Sequence, residues 1–187
     1  MHSDDTFWFD VPRPQRLSRL LIFVKWLLVL PHLLILWAYG ILASIAGFVG
    51  WWAVLFTGSY PAGLWNIVYG YVRWTTRVGV YNSLLRDEYP PFGAEPYPMQ
   101  MHLERPERQS RLLLIGRMFL MIPLSFWLAV VGLWAAILLF ISFFAILITG
   151  NIPVDIFRSL VGIYRYSLRV NLYSYVLTDE WPGFRMS

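Results

Sequence analysis

The sequence predicts an all-α integral membrane protein. It is built from two tandem pseudo-symmetric repeats, each a transmembrane helical hairpin followed by an interfacial amphipathic helix. Three observations lead there. First, the chain is written twice: Pro14 to Phe92 aligns with Pro106 to Phe184 without a gap, at a constant offset of 92 and with about a third of positions identical. Second, each copy holds an apolar run, about Leu20 to Thr57 and Leu112 to Thr149, nearly twice the ~20 residues that one membrane crossing needs. Third, a shorter amphipathic stretch follows each run.

Composition agrees. The chain is 58% apolar and only 14% charged, where a soluble domain of this size carries about a quarter charged residues. Aromatics make up 18%, including ten Trp, the residues that settle where hydrocarbon meets headgroups. The net charge is +4, and the cations are not spread evenly. Lys25 is the one charged residue between Arg19 and Arg73, and Arg117 is the one between Arg111 and Asp155. A nucleic-acid surface would need a solvated basic face, so no nucleic-acid partner is expected. Cysteine is absent, which excludes disulfides, thiolate nucleophiles and Cys-ligated metals. The acidic start, Ser3-Asp4-Asp5, predicts no cleavable signal peptide.

Taken in order, repeat 1 covers 1–93, a linker 94–98, and repeat 2 covers 99–187. Each repeat opens on a short alternating stretch, Phe7 to Val11 and Met99 to Leu103. Alternation this brief fits either a strand pair between the copies or an extended lead-in. An arginine cluster follows at helical spacing: Arg13, Arg16 and Arg19, then Arg105, Arg108 and Arg111. Such guanidinium groups reach lipid phosphate while their stems lie on apolar surface.

The hairpins are expected over about 18–57 and 110–149. Pro31 and Pro123 occupy equivalent positions, as do Gly40 and Gly132. Since Pro kinks and Gly loosens a helix, the turn is placed between Leu36 and Ala43, and between Leu128 and Ala135. Arginines lie on both sides of each run, so both ends are expected on the cytoplasmic side, giving four crossings with both copies in one orientation. One tilted crossing per repeat is the alternative, and it would turn the copies opposite ways. Gly58-x-x-Pro61 and Gly150-x-x-Pro153 then stop one helix and start the next. Amphipathic helices are expected over about 61–86 and 153–178, ending at Asp87-Glu88-Tyr89-Pro90 and Asp179-Glu180-Trp181-Pro182.

Together P-x-R-x-S-R, the Pro within the apolar run, LFTGxYPxGL and RxxxRVxxYxxLLxDxYPPF make the chain resemble a bacterial membrane family of unknown function, DUF4389, present here as two tandem copies. The second copy has Val154-Asp155 where the first has Ala62-Gly63, and Leu124 where the first has His32. The resemblance implies a membrane location and assigns no activity.

Candidate chemistry is sparse, and no catalytic or metal-binding residue is predicted. His32, just after Pro31, is the one weak candidate for a cofactor ligand; a hydrogen bond to backbone freed by the proline is the plainer reading. Any cofactor is left unknown. Arg16, Arg19, Arg73, Arg77, Arg108, Arg111, Arg165 and Arg169 are expected to contact lipid or another anion. For Arg73, Arg77, Arg165 and Arg169, pairing with Asp87, Glu88, Asp179 and Glu180 is the competing reading. Pro31, Gly40, Gly58, Pro61, Pro123, Gly132, Gly150 and Pro153 are expected to shape the helices, and the small-residue stripe of Gly40, Ala43, Ala46, Gly47 and Gly50 to pack against another helix.

The expected function is therefore a non-catalytic accessory or scaffold subunit of a larger membrane complex. A membrane-shaping or lipid-organising protein is the alternative, and a small transporter or haem-binding subunit is weaker still. Expected partners are anionic membrane lipids and other membrane subunits. The expected location is the cytoplasmic membrane of a bacterium, multi-pass, with both termini in the cytoplasm.

Overall fold

The computed structural model describes residues 6–93 and 95–184; Ala94, at the start of the expected linker, lies outside them. The elements run β1 (Phe7–Asp10), α1 (Leu21–Thr57), α2 (Ala62–Asn82), β2 (Gln100–Leu103), α3 (Arg111–Thr149) and α4 (Val154–Ser174).

A serine stands at the start of each long helix, Ser110 as the N-cap of α3 and Ser18 two residues before Leu20, the N-cap of α1. Ser18 and Ser110 hydroxyls accept from the N–H groups of Leu21 and Leu113 at 3.3 Å, which satisfies donors that have no partner inside the helix. Each helix ends on a glycine in the left-handed region, Gly58 at φ +73° and Gly150 at φ +75°. Their N–H groups donate back to Val54 and Ile146 at 2.8 Å.

The expected turn within each apolar run does not occur. α1 is one helix of 37 residues that contains Pro31, and α3 one of 39 that contains Pro123. Proline removes one backbone bond and an interior glycine costs about 1 kcal/mol. A turn would strand several more backbone groups among apolar side chains, which is worse. The real hairpin is α1 with α2, reversed at Gly58, and α3 with α4, reversed at Gly150. Its register is antiparallel throughout: Tyr60 packs on Gly50, Tyr71 on Gly40, and Trp74 on His32.

The two copies also run opposite ways. The Leu17 N–H donates to Gly150 O, and the Gln109 N–H donates to Gly58 O, both at 2.9 Å. The start of α1 thus sits at the end of α3, and the start of α3 at the end of α1. These two bonds are equivalents at the offset of 92, Leu17 matching Gln109 and Gly58 matching Gly150. The strands pair antiparallel with Phe9 opposite Met101, again 92 apart.

Three layers result. α1 and α3 lie side by side, α2 and α4 pack on them, and the strand pair covers α2 and α4. In that outer contact Tyr69 donates to Met101 O at 3.3 Å, and Arg165 donates to Phe9 O at 3.1 Å. The core lies around the middle layer, where Val68, Val72, Val80, Leu160, Tyr166 and Tyr173 are buried. α2 and α4 are hence sandwiched rather than laid on a surface. They end just before Leu84 and Val176, whose positive φ values of 63° and 60° turn the chain back toward the start of the long helix.

Candidate functional site

That turn assembles a buried ionic centre in each copy. Lys25, on α1 and 2% exposed, sits 2.8 Å from Asp87 and donates to Arg86 O at 2.6 Å. Arg117, on α3 and 3% exposed, sits 2.9 Å from Asp179 and donates to Tyr173 O at 2.5 Å and Thr178 O at 3.0 Å. The second oxygen of each aspartate accepts from the Ser18 or Ser110 N–H, at 2.5 and 2.6 Å. Each cation also stands over a tyrosine face, Tyr81 for Lys25 and Tyr173 for Arg117. A buried cation needs a counter-charge and hydrogen-bond acceptors. Here they come from the far end of the same repeat, so each centre clamps the start of a long helix to the end of its short one.

Three of the acids therefore pair differently from the reading in which Arg73, Arg77, Arg165 and Arg169 were their partners. Asp87 and Asp179 take Lys25 and Arg117, and Glu88 takes Arg86 at 2.9 Å from its Nε. The cause is distance along the fold: the reversal after α2 carries Asp87 past that helix's arginines to the start of α1. Burial opposes ionisation of Glu88, but the Arg86 guanidinium outweighs it and holds the carboxyl below its ordinary range. Burial pushes the nearby Tyr97 phenol up.

The arginines fall into two groups. Arg16 and Arg19 at one end, and Arg108 and Arg111 at the other, are exposed, as is Arg73. Arg77 is buried and donates to Gly93 O at 2.8 Å. Arg165 holds β1, and Arg169 stands 5.9 Å over the Phe7 ring. Arg77 is thus buried and Arg165 and Arg169 half-buried against the rest of the chain, which alternating charge on a helical wheel does not reveal.

His32 is fully buried, stacked at 4.0 Å on Phe92, and its Nδ1 accepts from Trp74 Nε1 at 3.2 Å. The ring fills the space between α1, α2 and the Tyr89–Phe92 segment that follows α2. Among the described residues, no three His, Asp or Glu side chains converge as a metal site.

The remaining feature is the surface. Of the exposed large apolar side chains, 17 belong to α1 and 15 to α3, while α2 has none and α4 only Val154. Most of the exposed large apolar side chains thus lie on these two neighbouring helices, more than scattered surface residues would give. Both helices are long and apolar enough to cross a membrane. Between the C-terminal half of α1 and the start of α3 lies a groove of about 560 Å³, lined by Ser44, Gly47, Trp51, Trp52 and Met118 over Tyr175.

Comparison with known families gives one match, the domain of unknown function DUF4389, found twice, over residues 19–94 and 111–185. The chain belongs to this family. One DUF4389 unit here is one long helix, the reversal at its glycine, and the short helix packed back upon it. The pairing strands lie outside both matched stretches, so the contact between the copies uses chain that the DUF4389 match does not include. No curated protein and no solved structure matches.

Proposed function

We propose that this protein is a non-catalytic, membrane-seated scaffold that organises lipid, with the α1–α3 face as its contact with hydrocarbon. One observation carries the reading: most of the exposed large apolar side chains lie on α1 and α3, while the cations inside those apolar runs, Lys25 and Arg117, are buried and paired within the chain. Such a face gains by leaving water at about 25 cal/mol per Å². The near two-fold exchange of the copies puts exposed arginines at both ends of that face, Arg16 and Arg19 with Arg108 and Arg111, where anionic headgroups would meet them. The cytoplasmic leaflet of a bacterial membrane, rich in anionic lipid, fits that pattern.

Flotation with vesicles tests it. The protein should join phosphatidylcholine vesicles and prefer those containing phosphatidylglycerol, at about 1 kcal/mol per basic residue near the surface. Neutralising Arg16, Arg19, Arg108 and Arg111 to Gln should remove most of the preference. Equal binding to both lipids, before and after substitution, would refute a lipid-organising role.

The groove beside Gly47 favours a second reading, an accessory subunit of a larger complex. A partner's apolar helix would fill that gap in the α1–α3 face. Extraction in mild detergent should then yield a companion at fixed stoichiometry, and a lone protein would remove this reading.

A further inference from the structure

We infer that α1 and α3 do not cross the membrane but lie flat within one leaflet, with α2, α4 and the strand pair stacked toward the water on a single side. The inference rests on the membrane-seated reading above and adds the orientation.

Length is the first argument. A helix of 37 residues is about 55 Å long at ~1.5 Å per residue. The hydrocarbon core is about 30 Å thick. Crossing it with the whole apolar length immersed needs a tilt of about 57°, beyond the roughly 0–40° that spanning helices adopt. A helix about 10–12 Å across, lying flat, fits the ~15 Å of hydrocarbon in one leaflet.

The second argument is what shares the level of the helix centres. The copies exchange ends along α1 and α3, and the same exchange maps Phe9 onto Met101 in the strand pair. The sheet is therefore level with the middle of the long helices. If they spanned, the exposed Asp10, Gln100 and His102 would stand at the bilayer midplane. So would two open strand edges, whose backbone groups find no partner in hydrocarbon. Laid flat, the same sheet is the layer farthest from the lipid.

Charge supplies the third. Arg13, Arg16 and Arg19 are exposed at one end of the molecule, and Arg105, Arg108 and Arg111 at the other. Crossing would put one cluster on each side of the membrane, against the rule that such clusters stay cytoplasmic. Lying flat keeps both on one side, together with the strands and the linker.

The absence of cysteine makes the test direct. Gln15→Cys and Glu107→Cys mark equivalent exposed sites at opposite ends, and Gln100→Cys marks the sheet. Each full-length variant is reacted with a membrane-impermeant maleimide in sealed vesicles of known sidedness. Flat seating predicts that all three label from the same side, to the extent reached in detergent, and that none labels from the other. Gln15→Cys and Glu107→Cys labelling from opposite sides, with Gln100→Cys protected until detergent is added, would overturn the inference and leave the membrane-seated reading standing. A chain that stays with the soluble fraction would overturn both. Because all three sites are exposed, retained helical circular dichroism confirms that each variant is folded.

Discussion

Gly50→Ala, set beside Gly47→Ala, isolates what the α1–α2 hairpin asks of its sequence. Both glycines lie within α1, three residues apart, in the same stripe of small residues. A methyl group at Gly50 would run into the Tyr60 ring, meeting Cζ, Cε1 and Oη, whereas one at Gly47 meets nothing within 4 Å. Tyr60 is fully buried and its hydroxyl donates to Ala46 O at 3.4 Å, so the ring has nowhere to retreat. Two terms compete. Alanine favours the helix over glycine by up to about 1 kcal/mol, and overpacking costs about 1–3 kcal/mol. At Gly47 only the first acts. At Gly50 the methyl would overlap the buried Tyr60 ring, so overpacking stands in the upper part of its range and the net loss is about 1–2 kcal/mol. For a chain of this size each kcal/mol moves the midpoint by about 2–4 °C. Thermal unfolding in detergent, followed by circular dichroism, should show Gly50→Ala lowered by about 2–8 °C and Gly47→Ala unchanged or raised. If Gly50→Ala unfolds at or above the temperature of Gly47→Ala, the packing argument is wrong.

Three further outcomes are expected. Asp179→Ala should destabilise by about 3–5 kcal/mol by leaving Arg117 buried without a counter-charge, while Arg117→Met together with Asp179→Ala should recover most of the loss; denaturant titration of the two variants measures the difference. His32→Leu, which copies the residue at Leu124, should cost less than about 3 kcal/mol in the same titration, and added haem should give the same spectrum with either variant, since the ring already packs against Trp74 and Phe92. The lowered Glu88 carboxyl contributes stability that is present above its ordinary value of 4.5 and is lost as the pH falls through the lower folded value; Glu88→Gln should flatten that part of the midpoint-versus-pH curve, and an unchanged slope would show that the Arg86 pair contributes nothing.

The sequence by itself determined the duplication, the two long apolar runs and the glycines at which they stop. Each of these is local. Hydrophobic composition sustained over some forty positions makes a helix, and Gly58 and Gly150 end it because a residue without Cβ takes positive φ at least cost. The repeat reads directly because position i can be compared with position i + 92. The strands were legible only as one of two readings, since four alternating residues carry little signal until a partner fixes their register.

Tertiary structure decided the rest. Pro31 and Gly40 suggested a turn, yet the run stays helical because opening it would leave several backbone groups unpaired among apolar side chains. Whether the copies run together or opposed depends on bonds such as Leu17 to Gly150 and Gln109 to Gly58, between residues far apart in sequence. The ionic centres depend on the same long reach. Lys25 and Arg117 stood out as lone charges at equivalent positions, but Asp87 and Asp179 become their partners only once each short helix folds back along its long one. Periodicity records which side of a helix is apolar, whereas orientation and pairing follow from which distant surfaces meet.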